Sequence, residues 1–360
     1  MVFCKKNISV AASGGESVRV IAIDGMGGDF APASVMKGIA RFQSSGHHFI
    51  IFGQADRLAE YQSLIPPSVS YEIRHADDVV TTEMGVLKAI RVGKSSSMGS
   101  AIQAVKSGEA AAVISSGNTG AYMALSKVML KTIDGIDRPA ITSILPGKDG
   151  RSVCLDLGAN AECTVKNLVD FAILGEALAA SAFNRNDISI GLMNIGSEEI
   201  KGSNLVKNTS EILRKLFDNY VGFVEGNDLC NGAVDVIIMD GFTGNVALKA
   251  VEGAAKYIVH ALKEALASSV MSKAGAVLAS GSLRDLRNKM DPRLHNGAVL
   301  AGLNGVVVKS HGNSDEIGFE NAIKFTSHIL NKNIFARIQE RIDRTNLYEI
   351  ASISSSEGAI

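Results

Sequence analysis

The feature that most constrains this chain is a local grammar used five times. Each unit is a short β-branched run, a corner of Gly, Asn and Asp, then a segment with helical spacing of apolar residues. Residues 20–23 lead through 24–29 into 33–42, and residues 111–114 lead through 115–120 into 121–131. The later units run 153–155, 156–160 and 165–182; 188–193, 194–202 and 205–216; and 234–239, 240–245 and 246–260. The runs are almost wholly apolar, as strands covered on both faces must be. The pattern therefore predicts a mainly parallel sheet with helices on its faces. In such sheets the corners at strand carboxyl ends gather where ligands bind, so the expectation is five corners lining one cleft. Glycine lets a ligand reach peptide N–H groups with no Cβ in the way. The helix that follows adds free donors and the positive end of its dipole. Such corners suit an anion or a developing oxyanion, although Gly and Asn also make ordinary turns and caps.

Composition narrows the function classes. The 36 Lys and Arg against 37 Asp and Glu leave a net charge of −1, which argues against a chain built to neutralise nucleic-acid phosphates. Six Pro against 36 Gly speak for tight corners rather than disorder. Cys4, Cys154, Cys163 and Cys230 have no paired metal-ligand spacing, so reduced thiols in a cytosolic protein and no metal are expected. The longest stretch free of Asp, Glu, Lys and Arg, residues 110–126, carries Ser-Ser-Gly-Asn-Thr-Gly in its middle and cannot face lipid. Residues 8–12 are too short for a secretory apolar segment. Neither a spanning helix nor a leader is expected.

Several familiar sites fail on their own spacing. Gly25 and Gly27 begin a G-x-G, but Phe30 holds the third glycine place, so the nicotinamide fingerprint is broken. Neither a G-x-x-x-x-G-K-[ST] loop nor a G-x-S-x-G elbow occurs. The cations near the corners are Arg91, Lys94, Arg138, Lys201 and Lys249, and His311 in a Lys-Ser-His-Gly turn is a candidate acid or base. Asp24, Asp29, Asp156 and Asp240 stand at strand ends, where each can position a ligand or cap a helix. Over 254–293, Ile258, Leu262 and Leu266 form one i, i+4 stripe and Leu283, Leu286 and Met290 another, with seven Lys or Arg facing three acids. Two amphipathic helices over 256–293 with an apolar tip at 270–278 suit an anionic membrane surface, a partner groove or a dimer interface.

Taken together the corners resemble the bacterial phosphate acyltransferases, the PlsX-type enzymes of phospholipid synthesis. The likeness runs from about residue 18 to 329 as an ordered set of short segments. These are IDGMGGD at 23–29, KSSSM at 94–98, SGNTGA at 116–121, RPA at 138–140 and DLGAN at 156–160. NIG follows at 194–196 with Glu199, Lys201 and Gly202, then DGFTGN at 240–245 with Lys249 and Glu252, and KSHG at 309–312. Gly25, Phe30, Phe223 and Asn227 depart from the usual pattern.

The resemblance implies a three-layer α/β/α fold of the isocitrate/isopropylmalate-dehydrogenase kind and a homodimer. One domain would cover 18–345, with a poorly ordered extension at 1–17 and a tail at 346–360. It implies that a long-chain acyl thioester of acyl carrier protein and inorganic phosphate give acyl phosphate and free carrier, without a cofactor. The product would serve a membrane acyltransferase acting on glycerol 3-phosphate. The protein would be cytoplasmic and peripherally membrane-associated through Val270, Met271, Val277 and Leu278.

Phosphate is already a nucleophile, so the chemistry needs positioning and charge rather than a serine or cysteine. On this reading Ser116, Gly117, Asn118, Thr119 and Gly120 bind phosphate or the oxyanion, and Asn118→Ala costs turnover while leaving folding intact. Lys201 and Lys249 supply charge, and His311 protonates the leaving thiolate. Asp24, Gly27, Gly28, Asp29, Lys94, Asp156, Asn160, Asn194, Asp240, Gly244 and Asn245 complete the substrate site. Three rivals stay open: a dehydrogenase on the same fold, a phosphate acetyltransferase using coenzyme A, and a non-catalytic acyl-carrier or membrane scaffold.

Overall fold

The computed structural model describes residues 9–11, 17–330 and 334–345. Most of the expected N-terminal extension and all of the tail lie outside the described residues. The strands are β1 (Ser9–Ala11), β2 (Ser17–Asp24), β3 (His47–Gly53), β4 (Ser70–His75), β5 (Ala112–Ser115) and β6 (Ala140–Pro146). They continue with β7 (Arg151–Leu155), β8 (Ile190–Met193), β9 (Tyr220–Val224), β10 (Val236–Ile238), β11 (Ala298–Ala301) and β12 (Val306–Lys309). The helices begin with α1 (Ala33–Arg41), α2 (Ala55–Ala59), α3 (Val86–Val92), α4 (Ser97–Ser107), α5 (Thr119–Leu130) and α6 (Val165–Phe183). After them come α7 (Asn204–Leu216), α8 (Gly241–Ala267), α9 (Val270–Leu278), α10 (Ser280–Met290), α11 (Glu316–Leu330) and α12 (Ile334–Thr345).

Alternation along the strands builds two cores, because successive side chains point to opposite faces. Ile21 and Ile23 join Phe49, Ile51, Val236 and Ile238 under α1, α6, α7, α11 and α12. Val20 and Ala22 join Ile50, Phe52 and Ile237 under α3, α4 and α5. Each fully buried aliphatic side chain contributes roughly 1.5–3 kcal/mol, so both layers hold the sheet. Helices cover both faces of the sheet, as the apolar runs predict, and the result is the three-layer α/β/α arrangement that the resemblance implies.

The strand order is β4-β3-β2-β5-β12-β11-β6-β7-β10-β8-β9, with β1 antiparallel on β2. Two blocks are internally parallel: β4 to β12, and β7 to β9. Between them β11 and β6 pair antiparallel with both neighbours, and a tight turn at 147–150 folds β6 back onto β7. The second block therefore runs opposite to the first. Corners 24–29 and 115–120 leave one edge of the sheet, while 156–160, 194–202 and 240–245 leave the other. The expectation of five corners on one cleft is corrected here: they form two groups.

The region 256–293 is also more divided than a helix pair. Its start belongs to the 27-residue α8, and α9 and α10 follow as separate helices. Val270, Met271, Val277 and Leu278 on α9 are 85, 84, 73 and 89% exposed. Among the described residues no helix is long and apolar enough to cross a membrane.

Candidate active site

The first corner group is organised by Asp24, buried at the end of β2. Its carboxylate accepts from Ser97 Oγ and Ser115 Oγ, both at 2.7 Å, and from the Met26 N–H at 3.3 Å. Burial raises the Asp24 pKa against the pull of these donors. The carboxylate thus ties β2 to β5 and to the start of α4. Gly28 has φ +106°, and a Cβ there would stand 2.9 Å from Ser116 Cβ and 3.1 Å from the Gly312 carbonyl. Only glycine fits that close approach. The Asp29 N–H donates to the Gly312 carbonyl at 2.9 Å. Corners 24–29, 115–120 and 309–312 are in this way drawn around a cavity of about 280 Å³, lined by residues 116–120, Asp29, Thr82, Lys309 and Gly312.

Asn118 caps α5. Its Oδ1 accepts from the Ala121 N–H at 3.0 Å, and its Nδ2 donates to the Thr82 and Met84 carbonyls at 2.7 and 3.3 Å. Both ends of the amide are committed to structure. Asn118 is a cap here rather than a free oxyanion donor, so its replacement cannot leave the fold untouched as the sequence reading expects. Free donors remain in the first helical turn, where the N–H groups of Asn118, Thr119 and Gly120 have no intrahelical partner. Beside them Ser116 Oγ, in a residue 3% exposed, has no hydrogen-bond partner among the described residues. Lys309 closes the wall. It ends β12 opposite Ser115, is 8% exposed, and donates to the Ser310 carbonyl. Burial lowers its pKa to about 8, against the opposing pull of Asp24 and Asp29.

The second group is organised by Asp156, at the end of β7. One carboxylate oxygen accepts from the N–H groups of Ile141, Gly158 and Ala159 at 3.0, 3.2 and 2.9 Å. The other accepts from the backbone and side-chain nitrogens of Asn160 at 2.7 and 2.9 Å. Asn160 also donates to the Pro139 carbonyl at 2.9 Å, and its own carbonyl accepts from the Gly241 N–H at 2.8 Å. Asp240 caps α8 through the Thr243 N–H at 2.9 Å, so 240–245 is largely a helical turn rather than a loop. Gly244 packs on the Asp156 carbonyl, and Asn245 lies against Gly158. Asn194 is buried and donates to the Gly196 and Lys201 carbonyls at 3.1 and 3.2 Å. Lys201 is exposed and pairs with Glu198 at 2.8 Å.

The first group also reaches the helix that leaves the second. His311 Nε2 lies 3.8 Å from Glu252 Oε1 on α8, eleven residues, or about 16 Å of helix, past the start of α8. Lys94 and Lys249 are exposed and do not line the cavity, although Lys94 borders the tight packing at Gly99. Burial pushes the Cys154 thiol up to about 12 and the Cys163 thiol to about 11, so neither is a thiolate at neutral pH. Sequence reasoning missed Ser97, Ser115, Thr82 and Lys309 as site residues. For Lys309 a signal existed: a charged residue closing the otherwise apolar strand Val306–Lys309.

The family model described as fatty acid synthesis protein matches residues 19–337. A phosphate acyltransferase of Rhodospirillum centenum is 44% identical over 347 residues, covering 94% of this chain and 98% of the relative. Among solved structures, a phosphotransacetylase from Streptococcus pyogenes has a TM-score of 0.58 at 18% identity, covering 88% of this chain and 95% of that one. A 4-hydroxythreonine-4-phosphate dehydrogenase from Klebsiella pneumoniae has a TM-score of 0.50 at 12% identity, covering 87% and 100%. At those identities the two structures establish a shared fold alone.

Proposed function

The chain belongs to the fatty acid synthesis protein family, whose curated relatives are phosphate acyltransferases, and from that premise we propose that it moves a long-chain acyl group from acyl carrier protein to inorganic phosphate. A phosphate oxygen forms a bond to the thioester carbonyl carbon, and the carbonyl electrons move onto oxygen. Collapse of that tetrahedral species breaks the C–S bond. The products are acyl phosphate and a carrier thiolate, which takes up a proton.

The step demands a held anion and fixed donors aimed at developing charge. The observation that carries the reading is the first corner, where free N–H groups of α5, the positive end of its dipole and the unpartnered Ser116 hydroxyl meet at one cavity. Burial raises the Cys154 and Cys163 thiols, which disfavours an acyl-cysteine at those two positions. His311, beside the cavity wall and near Glu252 of α8, is assigned to deliver the thiolate proton. The exposed α9 tip is read as a peripheral anchor on an anionic membrane, next to the acyltransferase that would pass the acyl group to glycerol 3-phosphate. Exposed Tyr257 and Ile258 on α8 support a homodimer.

The test is free-thiol release from acyl carrier thioester, with and without phosphate. Phosphate-dependent release matched by acyl phosphate is expected. Equal kcat/KM for a coenzyme A thioester favours the phosphotransacetylase-like reading. Thiol release that ignores phosphate rejects acyl transfer to it and leaves the scaffold reading.

A further inference from the structure

A buried cation is costly unless something compensates it. The ammonium of Lys309 donates to the Ser310 carbonyl, and among the described residues no carboxylate lies within 4 Å of it. Asp24 acts on it from a distance, but its oxygens are engaged by Ser97, Ser115 and Met26. The Ser116 hydroxyl, in a residue 3% exposed, likewise lacks a partner among the described residues. Both groups stand on the wall of one cavity, together with the first turn of the 12-residue α5. Apart from the exposed Asp29 carboxylate, the groups on that wall without a compensating partner among the described residues are a cation and donors. Their buried members call for an anion as partner.

We propose that Lys309 supplies the positive charge that holds a phosphate group in this cavity, with the Ser116 hydroxyl and the α5 N–H groups as its hydrogen-bond donors. The proposal rests on the phosphate acyltransferase reading above and moves the charge away from the lysines named from sequence. Lys201 is exposed and paired with Glu198 in the other group, and Lys94 and Lys249 are exposed and off the cavity wall.

The charged groups that act on Lys309 are Asp24 and Asp29; Tyr122 donates to the carbonyl of the preceding residue, Val308, and His311, two residues on, pairs with Glu252 of α8. Asp29 stands on the cavity wall and is compatible with an anion that has a proton to donate, as hydrogenphosphate does. Lys309, with its pKa near 8, is charged at neutral pH and loses that charge as pH rises. Phosphate affinity should fall roughly twentyfold between about pH 7.5 and 9.5, because only the ammonium form binds.

Calorimetric titration of the full chain with inorganic phosphate tests this, alongside KM for phosphate and for the acyl thioester. Lys309→Met keeps the buried length without the charge, and Ser116→Ala removes a hydroxyl with no partner among the described residues, so folding survives at least the second. Lys309→Met should weaken phosphate binding about tenfold or more at pH 7.5 and abolish the alkaline fall; Ser116→Ala should weaken it several-fold. A rise confined to the phosphate KM identifies inorganic phosphate as the occupant; a rise confined to the thioester KM identifies a phosphate ester on the carrier. Both variants at wild-type affinity and wild-type KM overturn the proposal, even with turnover intact. Lys309-dependent phosphate binding without phosphate-dependent thiol release keeps the anion site and removes the acyltransferase reading instead.

Discussion

Gly28→Ala tests whether the first corner is built as closely as described. The backbone there has φ +106°, a region L-residues rarely occupy, and forcing alanine into it costs about 1–3 kcal/mol. The new methyl also stands 2.9 Å from Ser116 Cβ and 3.1 Å from the Gly312 carbonyl, an overpacking of about 1–3 kcal/mol. Gly46 is the control. Its φ is +81°, and a methyl placed there would meet nothing within 4 Å, so Gly46→Ala carries left-handed strain alone, about 1–2 kcal/mol. At roughly 2 °C per kcal/mol for a chain of this size, scanning calorimetry should lower Tm by about 4–12 °C for Gly28→Ala and about 2–4 °C for Gly46→Ala. Because the displaced atom is Ser116, Gly28→Ala should also raise the phosphate KM about tenfold, while Gly46→Ala leaves it alone. Gly28→Ala with a Tm no lower than the control and an unchanged phosphate KM refutes the reasoning.

Asn118→Ala should lose about 0.5–2 kcal/mol in urea unfolding, the usual cost of a helix cap, and loosen the segment at Thr82; undiminished stability contradicts the cap. Burial raises the folded-state pKa of Asp24, so the stability linked to its protonated form is fully present below the ordinary value of 3.8 and is lost as pH rises through the raised value. Asp24→Asn should therefore flatten the decline of Tm with rising pH above about 4, and an identical slope in both proteins would count against that linkage. Val277→Glu with Leu278→Glu should abolish flotation with anionic vesicles, and equal flotation removes the tip as an anchor.

Much of the fold can be read from residues close together in the chain. Val20, Ile21, Ala22 and Ile23 announce a strand buried on both faces, and they do divide between two cores. The corners are legible too, because Asp24, Asn118 and Asp240 stand where strands end or helices begin. The reversal between the two sheet blocks is not legible, since β6 takes its direction partly from β11, about 150 residues later. The run of antiparallel pairings from β12 through β11 and β6 to β7 sends three corners to the far edge of the sheet. Lys309 escaped for a similar reason. A lysine ending a strand is usually solvated, and only the packing of 24–29 and 115–120 over it makes it a buried cation.

Mass spectrometry of the acyl phosphate made from phosphate carrying heavy oxygen at every position tests the central chemistry most directly. Direct attack on the carbonyl keeps all the phosphate oxygens, so the product should carry the full label, including the oxygen bridging carbon and phosphorus. A product whose bridging oxygen is unlabelled would mean that phosphate is not the nucleophile, and the account of the corner would fail.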